Sequence, residues 1–159
     1  MGIVVFDLDG TLADVSSRRK ELNSLLGKGV SKSKAYNWFF SNEALSLDTP
    51  NKHITEIFRL LLVHSDKKLI VLSGRPWKQR DGSLNFIKNH ITQKPVEFYC
   101  RPYGESKKTD YDFKKTWITN ASRLGAPIDY AFDDQKVIVD LWRESGITCF
   151  DCAGYIREN

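Results

Sequence analysis

The sequence predicts an α/β fold with a parallel sheet flanked by helices, and a small helical insertion after the first strand. Short apolar runs alternate with helix-like segments along most of the chain, which is typical of parallel βαβ units. The first apolar run ends in two carboxylates and a glycine. The segment 15–47, in contrast, is polar and lysine-rich and contains no strand-like run.

The predicted strands are short runs of apolar residues. Residues 3–6 are β-branched or aromatic, and the run is too short for a helix, so we expect a buried strand there. The same criterion predicts strands at Ile3–Asp7, Leu69–Ser73, Val96–Cys100, Tyr130–Asp133 and Ile147–Phe150.

The predicted helices lie between these strands. One surrounds Ile57–Leu61, ahead of the second strand, and the others cover Ser83–Asn89, Phe113–Leu124 and Gln135–Glu144. In the last of them, Ile138, Leu141 and Trp142 recur at helical spacing. The order of elements therefore predicts a sheet with helices between successive strands.

The chain length predicts one domain with room for one insertion. We assign residues 1–14 and 66–159 to a catalytic core and residues 15–65 to a helical cap above the first strand. The cap contains the aromatic cluster Trp38, Phe39 and Phe40, which would either form its own small core or stack on a nucleobase. The cap is thus expected to cover the acidic site described below.

Composition excludes several classes of protein. Hydrophobic residues make up 41% of the chain and charged residues 28%, as in ordinary soluble domains, and no run approaches a membrane span. The odd cysteine count and the lone pair Cys149 and Cys152 favour packed thiols over a zinc site, which fits a reducing cytoplasmic location. The net charge of +4 permits an anionic substrate. Neither a membrane nor an obligate protein partner is implied.

The candidate site begins with Asp7 and Asp9, directly after the first strand. Alternate strand residues point the same way, so both carboxylates are expected at the carboxyl end of the sheet, where ligands of open α/β sheets bind. Two acids in one space repel each other unless a cation lies between them. We therefore predict a Mg²⁺ site.

Two further polar clusters follow predicted strands. Ser73, Gly74 and Arg75 offer a hydroxyl, close backbone approach and a guanidinium, which suit a phosphate group. Asp133 and Asp134 end another apolar run at an equivalent position. The candidate metal ligands are Asp7, Asp9, Asp133 and Asp134, and the candidate phosphate-binding residues are Thr11, Ser73, Gly74 and Arg75.

These groups together predict phosphoryl transfer. Asp7 would attack phosphorus and form an aspartyl-phosphate, while Asp9 would protonate the leaving oxygen and later deprotonate water. Mg²⁺ would bridge Asp7, the phosphate and a carboxylate of Asp133 or Asp134. Lys114 and Ser73 would hold the phosphoryl oxygens.

The motifs D-L-D-G-T-L-A-D, L-S-G-R, a downstream lysine and F-D-D resemble, in order, the four motifs of the haloacid dehalogenase (HAD) superfamily of phosphatases. The resemblance implies a Rossmann-like parallel sheet and Mg²⁺ dependence. It also implies that Asp7 is the nucleophile and Asp9 the general acid/base.

Within the last sixty residues, the stretch from Cys100 to Cys149 resembles more closely the phosphatase half of phage polynucleotide kinase–phosphatases. That resemblance implies removal of 3′-phosphates from nucleic-acid ends, and its D-x-x-x-K motif selects Lys114 as the catalytic lysine. Gln135 stands where that family often has arginine, and no G-x-x-x-x-G-K-[ST] motif for a kinase occurs in this chain.

Three functions are therefore considered. The first is a polynucleotide 3′-phosphatase acting on a phosphorylated nucleic-acid end, and the second is a nucleoside-monophosphate phosphatase. The third is a binding module that keeps the fold without turnover. Basic residues that would meet a nucleic-acid backbone, or simply lie on a solvated surface, are Arg18, Arg19, Lys20, Lys32, Lys34, Lys78 and Arg80.

Overall fold

A parallel sheet of five strands forms the centre of the protein. The computed structural model describes residues 1–105 and 107–154. In chain order, the strands are Ile3–Phe6 (β1), Ala13–Asp14 (β2), Thr49–Pro50 (β3), Lys68–Leu72 (β4), Glu97–Tyr99 (β5), Ile128–Asp133 (β6) and Thr148–Asp151 (β7). The central sheet has the order β5-β4-β1-β6-β7, and every neighbouring pair is parallel. The predicted α/β class is confirmed, and all five predicted strands lie in this sheet.

Helices flank this sheet and build the insertion. They are Ser16–Gly27 (α1), Lys32–Phe39 (α2), Asn42–Leu45 (α3), Lys52–His64 (α4), Arg80–Phe86 (α5), Asp110–Thr119 (α6) and Lys136–Glu144 (α7). A π-helical turn at Ile87–Ile91 extends α5, and a 3-10 helix at Ala121–Leu124 follows α6. These helices confirm that the connections between the parallel strands are helical.

Two predicted helix boundaries were wrong. The helix expected at Ser83–Asn89 begins at Arg80 and passes into the π-helical turn. The helix expected at Phe113–Leu124 begins at Asp110, because the Thr109 side chain caps it by accepting a hydrogen bond from the Asp112 N–H. As a result, Lys114 lies in the second turn of α6 rather than at its start.

The alternation of β1 divides the core into two halves. Val4 and Phe6 point to one face of the sheet and pack with Phe58 of α4. Ile3 and Val5 point to the other face and pack in the cluster that includes Trp117 of α6 and Trp142 of α7. β1 is fully buried between the two layers, so the loop that follows it starts from a rigid strand.

The insertion leaves the core and returns to it at one place, because β2 and β3 pair antiparallel through Ala13–Pro50 and Asp14–Thr49. The helices between these strands are α1, α2 and α3. Helix α4, which follows, packs its buried Phe58 against Phe6, with ring centroids 5.0 Å apart. We propose that α4 belongs to the core layer and that the cap comprises residues 15–48.

This division predicts different effects of two substitutions on the same helix. Phe58→Ala will lower the free energy of unfolding by about 3–5 kcal/mol, because it opens a cavity against β1. Leu60→Ala will change it by less than about 0.5 kcal/mol, because Leu60 is exposed. Urea denaturation measures both. A small effect of Phe58→Ala would contradict the assignment of α4 to the core.

Candidate active site

The site lies at the carboxyl ends of three adjacent strands. Asp7 follows β1, Ser73 follows β4, and Asp133 ends β6. From β1 the chain proceeds outward through β4 to β5 and then crosses back to β6, on the other side of β1. Reversals of this kind create a crevice at the carboxyl edge of an open sheet, and ligands bind there. The structure therefore brings the predicted acidic residues of β1 and β6 to the ligand-binding edge.

Three buried carboxylates form the centre of the site. Asp7, Asp133 and Asp134 each offer an oxygen, and these oxygens lie within 4.8 Å of one another. An all-oxygen donor set of this kind suits a hard divalent cation such as Mg²⁺. The three residues therefore fit the predicted metal, and the carboxylate of Asp9 lies outside this group.

Gly10 is required by the closeness of the β1 and β6 loops. Its φ is +83°, a conformation that disfavours side chains, and a Cβ atom there would collide with the Asp134 carboxylate. The glycine of the D-L-D-G motif thus allows Asp134 to approach the loop that carries Asp7 and Asp9.

Lys114 joins the carboxylates of the two strands. From the second turn of α6, its buried Nζ donates hydrogen bonds to Asp7 Oδ1 and Asp133 Oδ2, both at 2.8 Å. Asp110 Oδ2 lies 3.9 Å from the same Nζ. Burial opposes the charged ammonium, but the carboxylates of Asp133, Asp7 and Asp110 outweigh it, so the pKa of Lys114 is raised well above its usual value. Lys114 therefore carries a positive charge at the centre of the acidic cluster.

The pKa of Asp7 is also raised well above its ordinary value. Burial is the main cause, and the negative charges of Asp133 and Asp134 add to it, while Lys114 opposes it. Burial and the neighbouring Asp133 likewise raise the pKa of Asp134 to about 6. Negative charge is therefore disfavoured in the cluster, which a bound cation would relieve.

Asp9 lies in a different electrostatic environment. Its Oδ1 accepts hydrogen bonds from Arg75 Nε at 2.9 Å, Arg75 Nη2 at 2.5 Å and Arg18 Nη2 at 3.1 Å. Burial would raise the pKa of Asp9, but the charges and hydrogen bonds of the two arginines outweigh it, so this pKa is lowered. The side chain of Asp9 is 28% exposed, facing the cavity.

Asp48, the last residue of the cap, is a second carboxylate that pairs with the guanidiniums of Arg18 and Arg75. Its carboxylate accepts hydrogen bonds from Arg18 Nε at 3.0 Å, Arg18 Nη2 at 2.9 Å and Arg75 Nη2 at 2.8 Å. Arg18, Arg75 and Asp48 are all buried. Two carboxylates and two guanidiniums thus form one network that joins the cap to β1 and to the loop after β4.

The predicted phosphate-binding residues lie around this network. Arg75 lines the cavity, but its guanidinium binds Asp9, Asp48 and Ser83, and its backbone N–H donates to Ser73 Oγ at 3.1 Å. Gly74 lies so close to Asp110 that a Cβ atom would collide with that carboxylate. The phosphate-binding roles of Ser73, Gly74 and Arg75 remain predictions.

Thr11 contacts the predicted nucleophile rather than open space. Its Oγ1 donates a hydrogen bond to Asp7 Oδ2 at 3.2 Å, and its side chain is buried. Thr11 binds one oxygen of the Asp7 carboxylate and Lys114 binds the other, so together they fix its orientation. A direct contact between Thr11 and phosphate remains a prediction.

These groups surround a cavity of about 290 Å³. Its lining combines the carboxylates of Asp7, Asp9 and Asp110 with the guanidiniums of Arg19, Arg75 and Arg101 and the rings of Phe39 and Phe40. Phe39 also lies against Arg18, whose guanidinium carbon is 4.4 Å from the ring centroid. Trp38, grouped with these rings in the sequence, does not line the cavity.

Sequence reasoning missed three residues of this site. Arg18 is among the basic residues expected to meet a nucleic-acid backbone or to lie on the surface, but it is completely buried. It lies four residues before the buried Leu22 on α1, so the two residues share a face of the helix, and this spacing is the signal for its burial. Asp110 is the first residue of the D-x-x-x-K motif that selects Lys114, but the sequence analysis assigns it no role in the site. No local signal marks Asp48, because its partners are 27 and 30 residues away.

Two further predictions concern the cysteines and a membrane span. Cys100 and Cys149 are buried, Cys152 is half-buried, and none of the three forms a disulfide. Within residues 1–105 and 107–154, no helix has the length and apolar character needed to span a bilayer.

Solved structures share this fold. A chain of the Pnkp1/Rnl/Hen1 RNA repair complex is similar over 94% of this chain, with a TM-score of 0.68 and 22% identity. A second structure of that complex gives a TM-score of 0.70, also at 22% identity over 94% of this chain. This chain spans 42% and 45% of the length of those two chains. A haloacid dehalogenase-like hydrolase from Streptococcus pneumoniae is 18% identical over 95% of this chain and 84% of its own, with a TM-score of 0.63.

The fold is thus that of haloacid dehalogenase-like hydrolases. Residues 29–154 match the family described as the polynucleotide kinase PNKP phosphatase domain. The chain therefore belongs to that family. It is a HAD-type phosphatase domain, and thus an enzyme rather than the binding module considered among the alternatives.

Proposed function

We propose that the protein is a Mg²⁺-dependent phosphomonoesterase that works through an aspartyl-phosphate and removes 3′-phosphates from polynucleotide ends. The observation that carries the proposal is the buried group Asp7, Asp133 and Asp134 at the ligand-binding edge, with Lys114 bound to Asp7 and Asp133. Membership in the family of polynucleotide kinase phosphatase domains supports the substrate class. So does the similarity to a chain of an RNA repair complex.

In the first step, a carboxylate oxygen of Asp7 attacks phosphorus. An O–P bond forms while the ester O–P bond breaks, and Asp9 donates a proton to the leaving oxygen. The arginines bind Oδ1 of Asp9, so we assign the transferred proton to Oδ2. Thr11 and Lys114 keep the Asp7 carboxylate in position for attack.

In the second step, water attacks the phosphorus of the aspartyl-phosphate. Asp9, now ionised, accepts the proton of that water, and the Asp7–phosphorus bond breaks to release inorganic phosphate. Arg75 and Arg18 stabilise the ionised form of Asp9, which favours loss of its proton to the leaving oxygen in the first step and leaves the carboxylate ionised when water attacks.

Asp7, Asp133 and Asp134 would hold the metal ion in this reaction. When bound, Mg²⁺ would offset the negative charge that accumulates between the phosphate and the carboxylates. Lys114 contributes a fixed positive charge to the same space, since it is bound to both Asp7 and Asp133. The sequence-predicted role of Asp9 as a further metal ligand remains part of this proposal.

The proposal is tested by phosphate release from a matched panel of substrates. The panel contains one oligonucleotide with a 3′-phosphate, the same oligonucleotide with a 5′-phosphate, and the 3′- and 5′-nucleoside monophosphates. We expect the highest kcat/KM for the 3′-phosphorylated oligonucleotide and no release when EDTA removes Mg²⁺. Highest activity on the 5′-phosphorylated substrates would contradict the 3′ assignment.

A second candidate function, a nucleoside-monophosphate phosphatase, is favoured by the aromatic side of the cavity. Phe39 and Phe40 line it, with ring centroids 5.1 Å apart in an edge-to-face arrangement. Phe39 is engaged by Arg18, whereas Phe40 offers a half-buried ring to which a base would stack.

This candidate predicts a selective effect of Phe40→Ala. If Phe40 stacks on a base, the variant will lose about tenfold or more in kcat/KM on a nucleoside monophosphate, and much less on an aryl phosphate. Tyr36→Ala is the matched control, since Tyr36 packs on Phe40 at 6.4 Å but does not line the cavity. Equal losses on both substrates, or the same selectivity change in Tyr36→Ala, would indicate packing instead of base recognition.

A further inference from the structure

A second and larger cleft adjoins the catalytic cavity. It measures about 630 Å³, and its lining includes Arg19, Lys20, Asn23, Asn51, Asp134 and Cys152. The two spaces share Val15 and Arg19 in their walls. The cleft therefore continues from the catalytic cavity along helix α1.

Arg19 stands between the two spaces and differs sharply from its neighbour Arg18. Arg18 is buried and bound to Asp9 and Asp48, whereas Arg19 is exposed. Within residues 1–105 and 107–154, its guanidinium has no hydrogen bond or ion pair. Arg19 and Asn23 are one helical turn apart and share a face, with Lys20 beside them. This wall of the cleft therefore offers two cations and an amide.

The carboxylates of Asp14 and Asp134 also line the cleft, and the positive charge of Arg19 acts on Asp134. Asp14 uses its Oδ1 to accept a hydrogen bond from the Ser16 N–H at 2.9 Å. Asp134 belongs to the carboxylate group of the catalytic cavity. Neither carboxylate forms an ion pair with Arg19 or Lys20 in the described part of the chain, so both cations are available to an anion that enters along α1.

The volumes of the two spaces indicate where the part of the substrate beyond the phosphate group lies. Ligand cavities that enclose a whole small molecule range from about 300 to 1,000 Å³. The catalytic cavity, at about 290 Å³, lies just below that range, and its charged lining must also accommodate the phosphate group. The adjoining cleft, about twice as large, is the space available for what is attached to that phosphate.

We propose that this cleft binds the nucleotides next to the scissile 3′-phosphate, and that Arg19 and Lys20 bind the first internucleotide phosphate. The inference rests on the proposed 3′-phosphatase function and extends it to a minimal substrate. A nucleoside 3′-monophosphate fills only the catalytic cavity and the mouth of the cleft. A dinucleotide with a 3′-phosphate also supplies the phosphodiester that the two cations recognise.

The test compares kcat/KM on these two substrates, both carrying the same 3′-terminal nucleoside. We expect the wild-type protein to prefer the dinucleotide by about tenfold, the effect of one charge-assisted phosphate contact. The double variant Arg19→Ala/Lys20→Ala will reduce that ratio to near one. Lys28→Ala is the matched control, since Lys28 is an exposed lysine just after α1 that lines neither space, and it will keep the wild-type ratio.

Salt dependence provides a second readout. For the dinucleotide, a plot of log kcat/KM against log salt has a negative slope. Loss of one phosphate contact in the double variant will make that slope less steep by about 0.7. A variant that is only misfolded would lose activity equally on both substrates. Equal losses would overturn the inference, as would the same change of ratio in Lys28→Ala.

The proposed function and this inference fail in different ways. If wild-type protein hydrolyses both 3′-phosphorylated substrates with equal kcat/KM, the cleft does not recognise the internucleotide phosphate and only the inference fails. If it hydrolyses neither but releases phosphate from 5′-phosphorylated substrates, the proposed function fails and the inference with it.

Discussion

Asp7→Asn will lower phosphate release by about four orders of magnitude and will not lower the stability of the metal-free protein. The amide has the shape of the carboxylate but cannot attack phosphorus, and loss of a nucleophile removes the step on which the other groups act. The pKa of Asp7 is raised by burial and by Asp133 and Asp134. The ionised carboxylate therefore destabilises the folded state above its unfolded pKa, and the neutral amide removes that cost at neutral pH.

Two measurements distinguish this result from damage to the fold. Urea denaturation in EDTA gives the free energy of unfolding. Acid quenching of the reaction with a substrate that carries a labelled phosphate group detects the covalent intermediate. Wild-type protein will retain the label and Asp7→Asn will not. Asp112→Asn, which changes an exposed carboxylate in the first turn of α6, will behave like wild type. Residual activity above about 1% in Asp7→Asn would refute the nucleophile assignment.

Asp48→Ala will lower the free energy of unfolding by about 3–5 kcal/mol, because it leaves two buried guanidiniums with one shared carboxylate. We also expect kcat to fall by about 10²-fold. Arg18 and Arg75 orient Asp9, and small displacements of a catalytic group have effects of that size. Asp48→Asn will restore part of the stability, because its amide oxygen accepts one of the hydrogen bonds.

The control for this variant is Glu43→Ala, an exposed carboxylate of α3 in the same part of the cap. Its free energy of unfolding will change by less than about 0.5 kcal/mol. Urea denaturation and steady-state kinetics on the 3′-phosphorylated oligonucleotide measure both effects. If Asp48→Ala were as stable and as active as Glu43→Ala, the network would have neither the structural nor the orienting role argued for it.

The fold could be predicted because its signals are local. Strands β1 and β4, at the centre of the sheet, are short and almost entirely apolar runs, and alternation along β1 alone separates the two faces of the core. Asp7, Asp133 and Asp134 could be located for the same reason, since each follows or ends such a run. Parallel pairing of β1 with β6 then brings them together.

The electrostatic environment of Asp9 could not be predicted, because it depends on tertiary contacts. Asp9 and Arg75 are separated by 66 residues, and Asp48 reaches both guanidiniums from the far end of the insertion. Nothing in the order of the residues distinguishes the buried Arg18 from the exposed Arg19 except the position of Leu22. Pairing of distant charges is decided by how the cap folds back on the sheet.

The pairing of β2 with β3 has a consequence for how this enzyme can diversify. Because the chain departs at Asp14 and rejoins at Thr49, its direct partner, a segment of different length or sequence can be grafted between these positions without shifting the central sheet. One condition restricts such exchange: Arg18 and Asp48, near the two ends of the segment, complete the charge network around Asp9. Any replacement that keeps this pair can alter which substrates enter while the reaction chemistry is inherited intact.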